Sequence, residues 1–179
     1  PLLAVACARH SAVAAGPDLP PLRASGAPYF SCDVAITLDR DAHPALSIAV
    51  NLPYPELQWI RVPSGYAAGA AFSVVFEPRS SGRIYGDAWQ RRLSVGDFAS
   101  TTSLSSVMVE RRTIDVPPGH YRIRVLARDL NGELQSSVSD EIDVPDYARV
   151  PVGLADLDLG VVDSISGAFT SVSTRRFGF

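Results

Sequence analysis

An alternation of apolar and polar residues runs through most of the stretch from Tyr29 to Val144. In its first segment, Phe30, Cys32 and Val34 are separated by single polar residues. A period of two places alternate side chains on opposite faces of a β-strand. Similar segments recur about every ten to fifteen residues, separated by proline, glycine, asparagine and aspartate, which favour turns. The pattern predicts a row of β-strands, and no segment has the periodicity of a helix.

The length and composition are sufficient for one compact domain. The chain has 179 residues, of which 46% are hydrophobic and 20% are charged, and a chain of this size buries roughly 70% of its unfolded surface. We therefore predict an all-β fold, an immunoglobulin- or fibronectin-III-like β-sandwich of seven or eight strands with extended N- and C-terminal segments. The predicted boundaries are a signal-peptide remnant and Pro/Ala-rich tether over 1–28, the sandwich over 29–147, and an extension or linker toward a further domain over 148–179.

The last predicted hairpin carries the clearest turn signal. Its strands begin near Tyr121 and Leu134, and the step Asn131-Gly132 between them favours positive backbone angles. Tyr121 follows Pro118-Gly119 near the start of a penultimate strand, where a tyrosine-corner residue occurs in sandwiches of this type. An ordinary core aromatic is the alternative interpretation of Tyr121.

Several classes of function are excluded or disfavoured by the residue types. All sixteen basic residues are arginine, so a P-loop, a Schiff-base enzyme and a lysine general base are excluded. The net charge of −3 does not favour nucleic-acid binding. His10, His43 and His120 are scattered, and no Gly-x-Ser-x-Gly motif is present. We therefore predict no catalytic residues, no metal and no cofactor.

The first residues resemble the end of a secretory signal. An apolar run of six residues from Pro1 to Ala6 leads to Cys7, and this junction is similar to a bacterial lipobox. The prediction is that Cys7 is lipidated and that the protein is exported to the bacterial cell envelope, in the periplasm or anchored to the outer membrane. The alternative is a short N-terminal strand with a buried cysteine. Cys7 and Cys32 could also form a disulfide if both thiols are available, although the apolar neighbours of Cys32 favour a structural thiol.

Three sets of residues are candidates for binding. The first set consists of arginines, which could form a basic stripe for an acidic partner or lipid headgroups. They could instead pair across strands with Glu110, Asp115, Asp140 and Glu141. These arginines are Arg91, Arg92, Arg111, Arg112, Arg122, Arg124 and Arg128. Aromatic residues that could form a sugar-stacking platform, or pack in the core, are Tyr54, Trp59, Tyr85 and Trp89, with Tyr66 nearby. Acidic groups that could ligate calcium, but are more simply explained by turns and solubility, are Asp39/Asp41, Asp129/Glu133 and Asp140/Glu141/Asp143.

The order of several motifs resembles a known family. Leu52-Pro53-Tyr54-Pro55-Glu56-Leu57-Gln58-Trp59, the Trp89 strand, the segment from Pro118 to Val125 with Asp129 after it, and Leu154-Ala155-Asp156-Leu157-Asp158-Leu159 occur in sequence. This order is similar to the N-terminal β-domain of bacterial GWxTD domain-containing proteins, which are predicted exported proteins. The Gly-Trp-x-Thr-Asp motif itself does not occur in the chain, so nothing attached to that motif is carried over.

Together these observations predict a non-catalytic interaction or scaffold module of a larger exported bacterial protein. Its partner is expected to be a protein or the remainder of a longer chain, with membrane contact only through a lipid at Cys7 and no nucleic acid. The alternatives are a carbohydrate-binding module and, less favoured, a cryptic hydrolase domain.

Overall fold

The computed structural model describes residues 21–39, 41, 43–80, 82–149, 155–162 and 169–175, with the backbone alone over 157–162 and 169–175. The strands are β1 Leu22–Arg23, β2 Ser31–Leu38, β3 Pro44–Pro53, β4 Ile60–Val62, β5 Gly65–Pro78, β6 Tyr85–Val95, β7 Val107–Asp115, β8 Gly119–Asp129, β9 Gln135–Val144, β10 Leu157–Val162 and β11 Phe169–Arg175. One short helix, α1, covers Phe98–Thr101, and 3-10 turns cover Tyr54–Glu56 and Tyr147–Arg149. Within these ranges, no helix has the length and apolarity needed to cross a bilayer.

Two antiparallel sheets pack face to face. The first has the strand order β1-β2-β3-β7. In the second, β6 pairs with β5, β5 pairs with β8, β8 pairs with β9, and the short β4 joins the start of β5. The chain changes sheet after β3, β6 and β7, which gives the connectivity of an immunoglobulin- or fibronectin-III-like sandwich. The predicted fold class is confirmed, with seven long strands and two short ones in the described sheets.

The core consists of the alternate residues that the period of two predicted. One sheet contributes Val34, Leu46, Ile48, Val50 and Leu52, and the other contributes Phe72, Val74, Phe76, Ile123 and Val125, all at most 2% exposed. Burial of one such side chain stabilises the fold by about 1.5–3 kcal/mol. These residues form one continuous cluster between the sheets.

The inner face of β7 is mixed, which explains why its sequence pattern is weak. Met108, Glu110, Arg112 and Ile114 lie opposite the core residues of β3. Two of these four inner positions are charged. Charge is tolerated there because β7 is the outermost strand of its sheet and its inner face lies at the open side of the sandwich.

The N-terminal boundary lies earlier than predicted. β1 pairs with β2 at Cys32, Ala24 is buried, and the Ala24 N–H donates to the Phe30 carbonyl over 3.0 Å. The Ser136 hydroxyl donates to the carbonyl of Pro28. Placing the whole of 1–28 in a tether was therefore wrong from residue 21 onward, because two strand residues are too few to show a period. Residues 1–20 lie outside the described residues.

The C-terminal segment contains a strand pair that the sequence did not predict. β10 and β11 form a separate antiparallel sheet. Before it, the Asp156 carboxylate accepts the Ile36 N–H over 2.8 Å, and the Asp156 N–H donates to the Ile36 carbonyl over 3.0 Å. These two bonds hold the segment against the free side of β2.

The turn between β8 and β9 differs from the predicted one. The residue with a positive φ is Glu133, at 58°, and neither Asn131 nor Gly132 has one. Glycine is required at 132 for space, because a Cβ atom there would lie 2.6 Å from Asp129 Oδ2 and 2.8 Å from Gln58 Oε1. The Asn-Gly step therefore marks a close approach in a longer loop and not a two-residue hairpin.

Candidate interaction face

Four of the seven candidate arginines share one surface. The side chains of β8 alternate between buried residues, such as Ile123 and Val125, and exposed arginines. Strand pairing places Arg92 of β6 on the same outer side, opposite Gly69. We call this surface the arginine face; it is formed by Arg92, Arg122, Arg124 and Arg128, all of them exposed.

Uncharged residues flank two of these arginines on both sides. Arg124 lies between Val75 and Ser139, and Arg128 lies between Ala71 and Gln135. Within the described ranges, no carboxylate lies within salt-bridge distance of Arg92, Arg122, Arg124 or Arg128. These guanidinium groups therefore project from a flat sheet surface with their hydrogen-bond donors available to solvent.

Arg122 has acidic neighbours in the strand register. It lies opposite Glu77 on β5 and Glu141 on β9. The carboxylate of Glu141 forms its ion pair with Arg79 instead. The positive potential of the arginine face is therefore strongest toward Arg124 and Arg128, away from these two glutamates.

The remaining candidate arginines lie elsewhere, so the seven do not form a single stripe. Arg91 and Arg112 lie on inner positions of the edge strands β6 and β7, where Glu110 is 3.6 Å from Arg91 and 4.0 Å from Arg112. Asp87 is 3.4 Å from Arg112. Arg111 lies on the outer side of the other sheet, opposite Ala49. Successive side chains of a strand lie on opposite faces, so the two arginines of Arg91-Arg92, and those of Arg111-Arg112, cannot lie on one surface.

The candidate aromatic residues make three separate ring contacts. Tyr54 and Trp59 lie with ring centroids 5.3 Å apart, and the Trp59 indole N–H donates to the Tyr54 carbonyl over 3.0 Å. Trp89 stacks on the core residue Phe72 at 5.5 Å, and Tyr85 meets the edge of Tyr121 at 6.2 Å.

All four candidate rings are partly buried against the core. No ring contact joins Tyr54 or Trp59 to Tyr85 or Trp89 in the described part of the chain. The other ring, Tyr66, contacts Phe98. The four candidates therefore do not form the shared, exposed platform that sugar stacking requires.

The guanidinium group of Arg112 lies over the ring of Trp89. The guanidinium carbon lies 4.6 Å from the centroid of the indole ring. Among the residues that the structure describes, none accepts the buried indole N–H of Trp89. A cation over a tryptophan face contributes about 0.5–2 kcal/mol, so Arg112 and Trp89 together close this side of the sandwich.

The two described histidines are exposed and bonded to carboxylates. His43 Nδ1 lies 3.2 Å from Asp39, and His120 bonds to Asp143 opposite it on β9. Neither imidazole bonds to a serine hydroxyl or a thiol among the residues that the structure places. His10 lies outside the described residues.

In the described ranges, one group of residues brings possible metal-ligand atoms within 4.8 Å of one another. It consists of Asp39, Asp41 and His43. All three residues are exposed. Asp39 Oδ1 accepts the backbone N–H groups of Asp41 and His43, each over 2.8 Å. The His43 N–H is the main cause that lowers the pKa of Asp39. The geometry is therefore that of an aspartate-stabilised turn.

Asp129 has a role that the sequence did not reveal. Its side chain is 1% exposed and accepts the backbone N–H of Gln58 over 2.8 Å and that of Asn131 over 3.0 Å. It therefore joins the β8–β9 turn to the segment before β4. The local sequence, an acidic and polar loop, does not reveal this link, because the burial of the Asp129 carboxylate depends on Gln58, seventy-one residues earlier in the chain.

Tyr121 is a tyrosine corner. Its hydroxyl donates to the Pro117 carbonyl over 2.9 Å, four residues upstream, as in sandwich domains of this class. Burial raises the pKa of Tyr121 above 10.0, and Tyr85 adds to the effect. Of the two interpretations from the sequence, the structure shows the corner.

The two cysteines differ in what is described. Cys32 is fully buried on the core side of β2, at the position predicted for a structural thiol. Cys7, the predicted lipidation site, lies outside the described residues.

Two shallow clefts lie at the ends of the sandwich. One, of about 370 Å³, is lined by Arg23, Ala24, Tyr29, Phe30, Ser31, Asn51, Pro53 and Val107. The other, of about 550 Å³, is lined by Arg61, Val62, Pro63, Ser64, Gly65, Tyr66, Gly96, Asp97 and Phe98. Asp97 in the second cleft caps α1, where its carboxylate accepts the Ser100 N–H over 2.9 Å. Neither cleft contains a histidine or cysteine.

No protein-family model, curated protein or solved structure matches this chain.

Proposed function

We propose that the protein is a non-catalytic interaction module that binds an acidic protein partner through the arginine face. The observation that carries the proposal is the pair Arg124 and Arg128, which are exposed and flanked on both neighbouring strands by uncharged residues. Arginine forms two parallel hydrogen bonds to a carboxylate, so a row of unpaired guanidinium groups fits an acidic protein surface.

The surroundings of the two arginines also support docking of a partner. Three outward positions near these arginines on β5, β6 and β9 are small, namely Ser73, Ala88 and Ser137. Beside these small residues, the long arginine side chains extend further from the sheet. A partner can then contact several guanidinium groups together.

The net charge of the chain makes this face distinctive. The protein as a whole carries −3, so general electrostatic attraction does not favour an acidic partner. Binding must therefore be local to the arginine face, and complementary charges would steer association there and set its orientation.

A titration with an acidic peptide tests the proposal. A polyglutamate peptide is added to the labelled protein, and amide shifts are followed by NMR. We expect shifts on β8 and on the outer side of β5 and β9, with affinity that falls as salt is raised. The variant R124E/R128E should weaken binding about tenfold or more, which corresponds to about 1.4 kcal/mol.

A variant with the same change in charge is the control. R23E/R61E alters two exposed arginines outside the arginine face, on β1 and β4. It should retain most of the binding. Equal losses in the two variants, or no binding by the unaltered protein, would contradict the proposal.

The location of the module is a proposal from the sequence alone. The apolar run before Cys7 supports export and lipidation at that cysteine, as does the resemblance to exported GWxTD domain-containing proteins. Labelling of the full gene product with an alkyne fatty acid in a bacterium tests it. Label that is retained after C7S would contradict a lipid at Cys7.

A further inference from the structure

The four long edges of the two sheets have a common feature. In each, a charged side chain bonds to a backbone group that faces away from the sheet. We propose that these charged residues block strand addition, and so keep a second copy of this chain from pairing edge to edge.

The direction of the backbone groups follows from the register. The Leu130 N–H donates to the Gly69 carbonyl over 2.9 Å, so the odd-numbered residues of β5 face β8. Backbone groups alternate in an antiparallel ladder, so the even-numbered residues of β5 face β6. In the register Phe72 to Trp89, the even-numbered residues of β6 then point away from the sheet.

On the edge of β6, an aspartate occupies one of these outward donors. The Ala88 N–H donates to the carboxylate of the preceding residue, Asp87, over 2.8 Å. Asp87 lies on an inner position of the strand, opposite Val74. A charge at an inner position of an edge strand is a known means of preventing the addition of another strand.

The edge of β9 repeats the arrangement. The Asp129 N–H donates to the Leu134 carbonyl over 2.8 Å, so the backbone groups of the odd-numbered residues of β8 face β9. The backbone groups of the odd-numbered residues of β9 then face solvent. The outward Glu141 N–H donates to the carboxylate of Asp140 over 2.8 Å. Asp140 is also at an inner position, opposite Ile123.

The first sheet is protected at both edges by related bonds. On β7, the Arg112 guanidinium donates to the outward carbonyl of Arg111 over 2.9 Å. On β2, the Asp156 carboxylate accepts the outward Ile36 N–H, and the backbone N–H of Asp156 donates to the Ile36 carbonyl. A charged side chain therefore bonds to an outward backbone group on β2, β6, β7 and β9, and on the last three strands it comes from a residue adjacent to that group.

Substitution of the aspartates tests the proposal. Asp140 has no ion pair within the described ranges, so D140A removes the backbone bond with little other change. We expect D140A, and more strongly D87A/D140A, to self-associate in sedimentation velocity with dissociation constants lower by about tenfold or more. Hydrogen exchange of the associated form should show new protection at the outward amides of Ser137 and Ser139.

Two further variants make the result specific. D87N/D140N removes the charge but keeps an oxygen that accepts the N–H, so it should self-associate more weakly than D87A/D140A. D115A/D146A removes two other carboxylates and should also be unchanged. The proposal is overturned if the alanine variants do not associate, if the asparagine variant associates equally, or if association occurs only with loss of the native circular dichroism.

Discussion

Removal of the Asp129 carboxylate should destabilise the sandwich more than removal of any exposed aspartate. The side chain is 1% exposed and accepts two backbone N–H groups, from Gln58 and Asn131. A hydrogen bond to a charged group contributes about 1.5–3 kcal/mol. Both donors lie in loops that water can reach after truncation, so we take the lower part of that range for each.

The expected cost of D129A is therefore about 3–4 kcal/mol in the free energy of unfolding. For a chain of this size, that lowers the melting temperature by roughly 5–15 °C. Urea unfolding followed by circular dichroism measures the free energy. Amide exchange at Gln58 and Asn131 should accelerate before global unfolding, because their acceptor is lost.

Two variants test the reasoning. D115A removes an exposed strand aspartate and should change stability by less than about 0.5 kcal/mol. D129N should lie between D129A and the unaltered protein, because its side chain keeps one oxygen acceptor but places an NH₂ group against the other N–H. A buried carboxylate also has a desolvation cost. If D129N were more stable than the unaltered protein, that cost would exceed the two bonds and the reasoning would be refuted.

Three further substitutions address the corner, a turn and the edge. Y121F should lower the free energy of unfolding by about 1–2 kcal/mol, with Y54F as its control. Because burial raises the pKa of Tyr121 above 10.0, its contribution to stability is complete below pH 10 and is lost as pH rises through the higher folded pKa. The free energy of unfolding should therefore depend less on pH in the alkaline range for Y121F. G65A should lower the free energy of unfolding by about 1–3 kcal/mol or more, since Gly65 has φ +131° and a Cβ there would lie 2.1 Å from a backbone oxygen. Its control is G96A, whose Cβ would meet no described atom within 4 Å, so the same urea titration should give nearly the free energy of the unaltered protein. R112A should cost about 1–2 kcal/mol through loss of its contact with the indole, and a cost that disappears in high salt would show that the ion pairs, not the ring contact, supply it.

The parts of the fold that local chemistry determines were predictable. Alternation identified the long strands and their buried faces, because one side of each strand must be apolar wherever the sandwich has a core. The proline and glycine before Tyr121 indicated the corner. The register of β7 was obscure, since Glu110 and Arg112 occupy inner positions at the open side of the sandwich.

The parts that depend on distant segments were not predictable. β1 has two residues and is recognisable only by its pairing with β2. Burial of Asp129 depends on the backbone at Gln58. The glycine at 132 is explained by the same contact. Nothing in the local sequence of these residues distinguishes them from ordinary loop residues.

The division of the arginines shows what the alternation of a strand does to charge. Arg91 and Arg92 are neighbours in sequence, yet Arg91 lies at the inner edge beside Glu110 and Arg92 lies on the outer face. The Glu110 side chain is 12% exposed at its inner position, and this partial desolvation favours a nearby cation such as Arg91. An outer position has no such requirement. If the edges are closed to strand addition by Asp87 and Asp140, the outer face is open to the acidic partner that we propose, and there the exposed arginines Arg124 and Arg128 would determine which surfaces it can present.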